Sequence, residues 1–271
     1  MADDPVKTLQ TSKDGPELVV AALQVAKGAD GAAHEALRKS LQSPSFLLHL
    51  DRDEDYNGVR GRLRLASVMR ALTANPSEHS RKTLLTLTRS EPFLQEPARI
   101  ELLIEAGAEL RPASDEFVAY WDRVCDPKEA YTPLVIAALL DNGTPPALAL
   151  FEKKMADAAY DDATKIGWLR KRLLPHRYEP PVLEVCQRMI AGSAPAPLRP
   201  HIVEALFDFR PEWYKPNARV TAPDVAQAGG QAQAMVRAIG QRAIKDVELS
   251  DPQRAAVERV LERMKGTVGA P

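Results

Sequence analysis

Residues Tyr131 to Met155 read YTPLVIAALLDNGTPPALALFEKKM. An apolar run with helical spacing leads into Asn142-Gly143-Thr144-Pro145-Pro146, and a second run of the same kind follows it. The five turn residues supply a left-handed stop, a capping hydroxyl and prolines for a helix start, which is what a tight antiparallel helix connection requires. The stretch therefore predicts a two-helix hairpin. Similar turn chemistry stands at Asn75-Pro76-Ser77, at Ala106-Gly107 ahead of Pro112, and at Glu179-Pro180-Pro181. Pro76, Pro112, Pro146 and Pro181 are separated by 36, 34 and 35 residues. A period near 35 means one hairpin copied along the chain, each copy burying its apolar face against its neighbours.

Laid over one another on these prolines, the second helices place Leu85, Trp121, Met155 and Ile190 in one column and Phe117, Phe151 and Cys186 in another. In the first helices Leu103, Leu139, Leu174 and Phe209 share a phase. These columns predict the core. Pro216 and Pro252 extend the spacing toward the C-terminus. No segment alternates as a strand would, so the predicted fold is all-α: a right-handed α-solenoid (α/α superhelix) of about five to seven stacked antiparallel helical hairpins.

Residues 1–12 are polar and unpatterned, and read as a flexible N-terminal segment ahead of one solenoid domain over 13–271. Asp14-Gly15-Pro16-Glu17 starts a helix, a second runs from about Ala32 to Leu41, Pro44 to Leu50 is a short apolar piece, and 62–71 regains helical spacing through Leu65, Val68, Met69 and Leu72. Residues 222–243 are rich in Ala, Gln and Gly, which predicts weak or broken helices there. The segment 250–266 reads as a capping helix, with Val257, Val260, Leu261 and Met264 inward and Arg254, Glu258, Arg259, Glu262 and Arg263 outward.

The hairpin Tyr131 to Met155 resembles a HEAT-like repeat and is similar to the short bacterial form also found in phycobilisome-lyase-type proteins. Over residues 60 to 210 the phase is clear. The chain departs from longer HEAT repeats by lacking their Asp and Arg ladder. The resemblance implies an armadillo-like α-solenoid whose second helices line a concave, protein-binding surface. A bilin-handling relative follows from the likeness alone.

Composition narrows the function. Across 271 residues, 36 Lys and Arg stand against 37 Asp and Glu, a formal charge of -1. A wholesale nucleic-acid binder would carry a basic surplus. No signal peptide is legible at the N-terminus, and no stretch nears the 18 apolar residues of a membrane span. Cys125 and Cys186 are too few for a disulfide framework, so a reducing, cytoplasmic setting is expected.

Three patterns invite chemistry. Asp53, Asp55, Asn57 and Gly58 match the opening of a calcium loop, but Arg64 stands where the closing Glu belongs and Arg60 at the eighth position, so a solvated acidic loop is the competing reading. Lys165, Arg170, Lys171, Arg172, His176 and Arg177 form a basic run around Trp168. It reads either as a phosphate site or as the outer face of an amphipathic helix buried through Ile166, Leu169 and Leu173. Tyr120-Trp121-Asp122 and Ile166-Gly167-Trp168 invite comparison with the alkylpurine DNA glycosylases, HEAT-like enzymes that use tryptophans and an acid in a basic groove, although Trp121 falls in a core column.

No catalytic motif is present, the five histidines are dispersed, and both cysteines fall at buried phases, so neither catalysis nor a cofactor is expected. The expected function is a non-catalytic scaffold that holds a protein partner; the alternative is a nucleic-acid-acting protein of the glycosylase kind. On the proline alignment Thr83, Lys153 and Arg188 share the exposed column of the second helices, with His79, Asp115 and Glu184 beside it and Tyr120 as an aromatic anchor. These are the expected partner-binding residues.

Overall fold

A computed structural model describes residues 4–51, 64–110, 114–208 and 224–266, which are helical with no strand among them. Internal contacts divide the chain into two compact units, residues 1–138 and 139–271, with the division inside the helix Thr132–Asn142. The calcium-like residues Asp53, Asp55, Asn57, Gly58 and Arg60 lie outside the described residues, as do Pro112, Phe209 and Pro216.

The first unit opens with α1 (Pro5–Thr11), where the sequence predicts a flexible segment. Asp4 accepts the Val6 N–H, proline takes the first position, and Leu9 is buried as α1 docks on its neighbours. One cap, one proline and one apolar side chain are enough where tertiary packing supplies the rest. Next come α2 (Gly15–Lys27), α3 (Gly31–Ser40), α4 (Pro44–Leu50), α5 (Arg64–Ala74), α6 (Glu78–Leu87), α7 (Glu91–Leu94), α8 (Pro97–Glu109) and α9 (Asp115–Val124). Helix α5 contacts both α2 and α8, while α3 contacts α6. The hairpin partners α2 and α3, and α5 and α6, touch as well.

Two local features lock this unit. Gly107 in α8 lets the buried aromatics of α9 approach: a Cβ there would stand 2.7 Å from the Phe117 ring and 2.9 Å from that of Trp121. Arg99, also in α8, is buried. It donates through Nε to Asp51 Oδ1 at 3.0 Å, through Nη2 to Oδ2 at 2.5 Å and through Nη1 to the Pro92 carbonyl at 2.6 Å. This bidentate geometry offsets the cost of burying the guanidinium and ties α8 to the residue that ends α4.

Helix α10 (Thr132–Asn142) carries the division, and the second unit continues with α11 (Pro145–Ala156), α12 (Asp162–Trp168), α13 (Pro180–Arg188), α14 (Arg199–Phe207), α15 (Gly230–Asp246) and α16 (Asp251–Gly266). Helix α12 runs on as a π turn over 169–173 and a 3-10 turn over 174–176; α13 runs on as a π turn over 189–193, where Gly192 takes φ 147. Helix α13 contacts α11 and α15, and α14 contacts α16 and the π turn at 169–173. Glu204 of α14 is buried and receives Arg170 Nη2 at 2.9 Å and His201 Nδ1 at 3.1 Å.

Two expectations meet different outcomes here. Helix α16 has the predicted bounds and buries Val257, Val260 and Met264, with Leu261 half-buried. In the Ala, Gln and Gly stretch a 3-10 turn over Val225–Gln227 breaks off at Ala228 and Gly229, and beyond that break α15 runs on for 17 residues. Ala232, Val236, Ile239, Gly240 and Ala243 are buried along it, so packing overrides the weak propensity of its glycines and glutamines.

Five helices repeat one burial pattern when each is counted from its own capping residue: Asp30, Ser77, Ser114, Thr144 and Glu179. Six residues on, Ala36, Thr83, Tyr120, Leu150 and Val185 are all buried. Seven on, so are Leu37, Leu84, Trp121, Phe151 and Cys186, and eleven on, Leu41, Thr88, Cys125, Met155 and Ile190. Five on, Glu35, Lys82, Ala119, Ala149 and Glu184 are all exposed. This spacing is the inner stripe of a helix with one wetted side.

The caps are 47, 37, 30 and 35 residues apart, so the even proline spacing does not keep the phase of the helices. Pro76 and Pro112 stand before their caps, whereas Pro146 and Pro181 stand inside the first turn. The difference is about one helical turn, and it carries Leu85 out of the core column, where it is half-buried, and puts Leu84 in its place.

Candidate functional site

Counted from the caps, the outward positions of the repeated helices fall five, nine and twelve residues on. At nine stand Lys39, Thr86, Arg123, Lys153 and Arg188, four of them cationic and exposed; at twelve stand Gln42, Arg89, Asp126, Ala156 and Ala191, all exposed. In each unit taken by itself, these positions form the exposed side of the repeated helices.

Of the four residues expected to contact a partner, Lys153 and Arg188 lie on this surface and Thr83 and Tyr120 do not. Thr83 is fully buried: its hydroxyl donates to the His79 carbonyl at 2.8 Å and faces His34 Nδ1 at 3.4 Å. Tyr120 is 2% exposed, with Phe117 edge-on at 6.4 Å. Both sit six residues past their caps, three short of the outward position and about 60° away from it around the helix; the proline alignment placed Thr83 outward with Lys153 and Arg188, while Tyr120, the expected aromatic anchor, is buried at the same depth. Burial pushes the Tyr120 phenol well above its usual range. Of the neighbouring column, Asp115 and Glu184 are exposed and His79 is half-buried. His79 stacks on His34 at 6.1 Å.

In the first unit the surface runs over α6 and α9. Arg81, Lys82, Leu85, Thr86 and Arg89 line a groove of about 470 Å³ there, together with Glu78 and Glu116. Arg89 pairs with Glu116 at 3.1 Å. Arg123, absent from the sequence expectation, holds the place intended for Tyr120: its guanidinium lies 5.6 Å over the Tyr120 ring and donates to the Thr88 carbonyl. Aromatic below and carbonyl beside, it is presented as an ordered cation. The distance of Arg123 from Ser114 carries the signal that would have found it.

In the second unit Arg188 donates through Nε and Nη2 to Glu152 Oε2 at 3.0 and 2.8 Å, and Ser193 donates to Glu152 Oε1 at 2.5 Å. Burial works against the charge of Glu152, and the Arg188 and Ser193 hydrogen bonds outweigh it, leaving its carboxyl below the usual range. The Arg188 pair joins α11 to the end of α13, and the Ser193 bond joins it to the turn that continues α13. The pair orients Arg188, half of whose side chain remains open to water.

The basic run does not form one patch. Lys165 and Arg177 are buried, the latter with its guanidinium 4.6 Å over the Tyr178 ring; Arg170 is taken up by Glu204, and His176 by Asp141 and Glu179. Leu169 and Leu173 are buried as the amphipathic reading expects, but Lys165 and Arg177 are buried with them and are not on an outer face, while Lys171 is exposed. Trp121 is fully buried against Phe117, and Trp168 is buried edge-on to Tyr160 at 4.9 Å, so neither tryptophan faces a groove. Cys125 and Cys186 are buried, and burial pushes the Cys186 thiol up to about 12, where it is protonated and unreactive. Among the described residues no three His, Cys, Asp or Glu side chains converge to hold a metal ion, and no helix is long and apolar enough to cross a membrane. Comparison with protein-family models, curated proteins and solved structures gave no match.

Proposed function

We propose that this protein is a non-catalytic interaction scaffold: an α-solenoid of stacked HEAT-like hairpins that holds a protein partner against the outward positions of its second helices. The observation that carries this reading is the shared burial pattern of five helices counted from their caps, which gives every copy the same exposed phase. A repeated surface of ordered cations, set between acids of the same helices, suits a polar protein partner better than a small ligand. Arg123 and Arg188 are held by their own neighbours before any partner arrives, which lowers the entropy lost on binding. The setting we assign to it is cytoplasmic.

The test is affinity capture from the native host followed by charge reversal. Lys153→Glu with Arg188→Glu, and separately Arg123→Glu, should weaken retention of the captured protein while the far-ultraviolet circular dichroism stays unchanged. Retention equal to that of the unaltered chain in all variants removes this surface from consideration.

A further inference from the structure

His176 closes the helical run that begins with α12. Its ring is 13% exposed, and both nitrogens meet carboxylates: Nε2 lies 2.9 Å from Asp141 Oδ1 and Nδ1 lies 2.9 Å from Glu179 Oε1. Asp141 stands in the last turn of α10, one residue before the end, and Glu179 is the capping residue of α13. The Nε2–Asp141 contact therefore joins the last turn of α10 to the segment before α13, and the Nδ1–Glu179 contact ties that segment to the cap of α13. Gly143, at φ 64, supplies the left-handed residue that ends α10 just past Asp141.

The number of protons decides what the arrangement can be. A neutral imidazole has one N–H and one lone pair, so it satisfies one carboxylate and points its lone pair at the other. The imidazolium has two N–H groups and satisfies both. Imidazole is also the strongest base of the three groups, so a proton entering the cluster goes to the ring. We propose that His176 is a proton-operated clasp within the second unit: charged, it holds Asp141 at the end of α10 and Glu179 at the start of α13 at once, and on losing its proton it releases one of the two carboxylates.

Burial of the ring disfavours its charge, but the hydrogen bonds from Asp141 and Glu179, with their charges, outweigh it and raise the His176 pKa above the ordinary 6.5. Asp141 from α10 and Glu179 from the turn before α13 are the charged groups that act on the ring. The adjacent Arg177 is taken up by the Tyr178 ring. Because the folded site holds the proton more tightly than the unfolded chain, the clasp stabilises fully below pH 6.5, and its stabilisation is lost as pH rises through the raised midpoint. The inference does not depend on what the outward surface binds.

The experiment is an NMR titration of the His176 ring protons in the full chain, alongside Asp141→Asn, Glu179→Gln and the double variant. Each substitution removes one charge from a side chain that is about half exposed, and spares the fold. The expected midpoint lies above 6.5 in the unaltered chain, falls in each single variant and falls furthest in the double. Thermal melts provide a second reading: the unaltered chain should melt several degrees above the double variant at pH 5.5, and the gap should close as pH passes the midpoint. A midpoint at or below 6.5, a midpoint unmoved by either substitution, or a melting gap that is constant with pH would each overturn the proposal.

Discussion

In the first unit, α6 and α9 begin at Ser77 and Ser114, whose hydroxyls accept the backbone N–H groups of Ser80 and Phe117. In the second, α11 and α13 begin at Thr144 and Glu179, which make no such bond, and two prolines fill the first turn of each. Thr144 turns its hydroxyl back to Asn142 Oδ1 at 2.6 Å. Hydroxyl caps satisfy orphan N–H groups; proline removes one of them and presets φ. The helices that follow bury the same phases. How a helix starts can therefore be exchanged, provided that the distance from the start to the buried side chains is kept.

The two units also fill equivalent positions differently. Seven residues past the cap, the first unit places Trp121 and the second Cys186. If burial at this position is one shared requirement met by different volumes, truncation should scale with volume. Trp121→Ala should cost about 3–5 kcal/mol, and Cys186→Ala roughly 1 kcal/mol, by chemical denaturation. Equal costs would break the equivalence.

Close helix contacts sharpen the contrast. An added methyl at Gly107 meets buried rings below 3.0 Å, whereas at Gly240 it meets Leu261, Val257 and Phe207 at 3.1–3.3 Å, where flexible side chains can give way. Gly107→Ala should destabilise by about 1–3 kcal/mol through overpacking. Gly240→Ala should lie within about 1 kcal/mol of neutral, since the gain in helix propensity is of that size. Smaller again is the cap itself. Ser114→Ala should cost about 1 kcal/mol, and Thr144→Ala a few tenths, because only the first removes a bond to the helix. A matching loss at Thr144 would show that the prolines do not substitute for a hydroxyl.

Much of the helical architecture was legible in the sequence because it rests on local rules. The Asn142-Gly143 stop predicts a left-handed residue, and Gly143 has one; the bounds of α16 follow from Ser250, Asp251 and the apolar stripe. Proline marks a helix start only to within a turn, and Pro76 precedes its cap, so the proline column sets the buried Thr83 beside the exposed Lys153 and Arg188. Arg123 was missed for the same reason. The pairs Arg99 with Asp51, Arg170 with Glu204 and Arg188 with Glu152 were out of reach for another, since each joins residues 34 to 48 positions apart and no local rule couples them.

Counting from the cap has a genetic consequence. Between Asp30 and Ser77 the chain spends 47 positions, between Ser114 and Thr144 only 30, and the inward phases agree. Codons gained or lost in the connections are thus nearly silent, while one codon inserted between Ser114 and Trp121 would swing every later side chain of that helix by about 100° and put its aromatic face in water. Variation in length should collect at the joints and be purged from the helices.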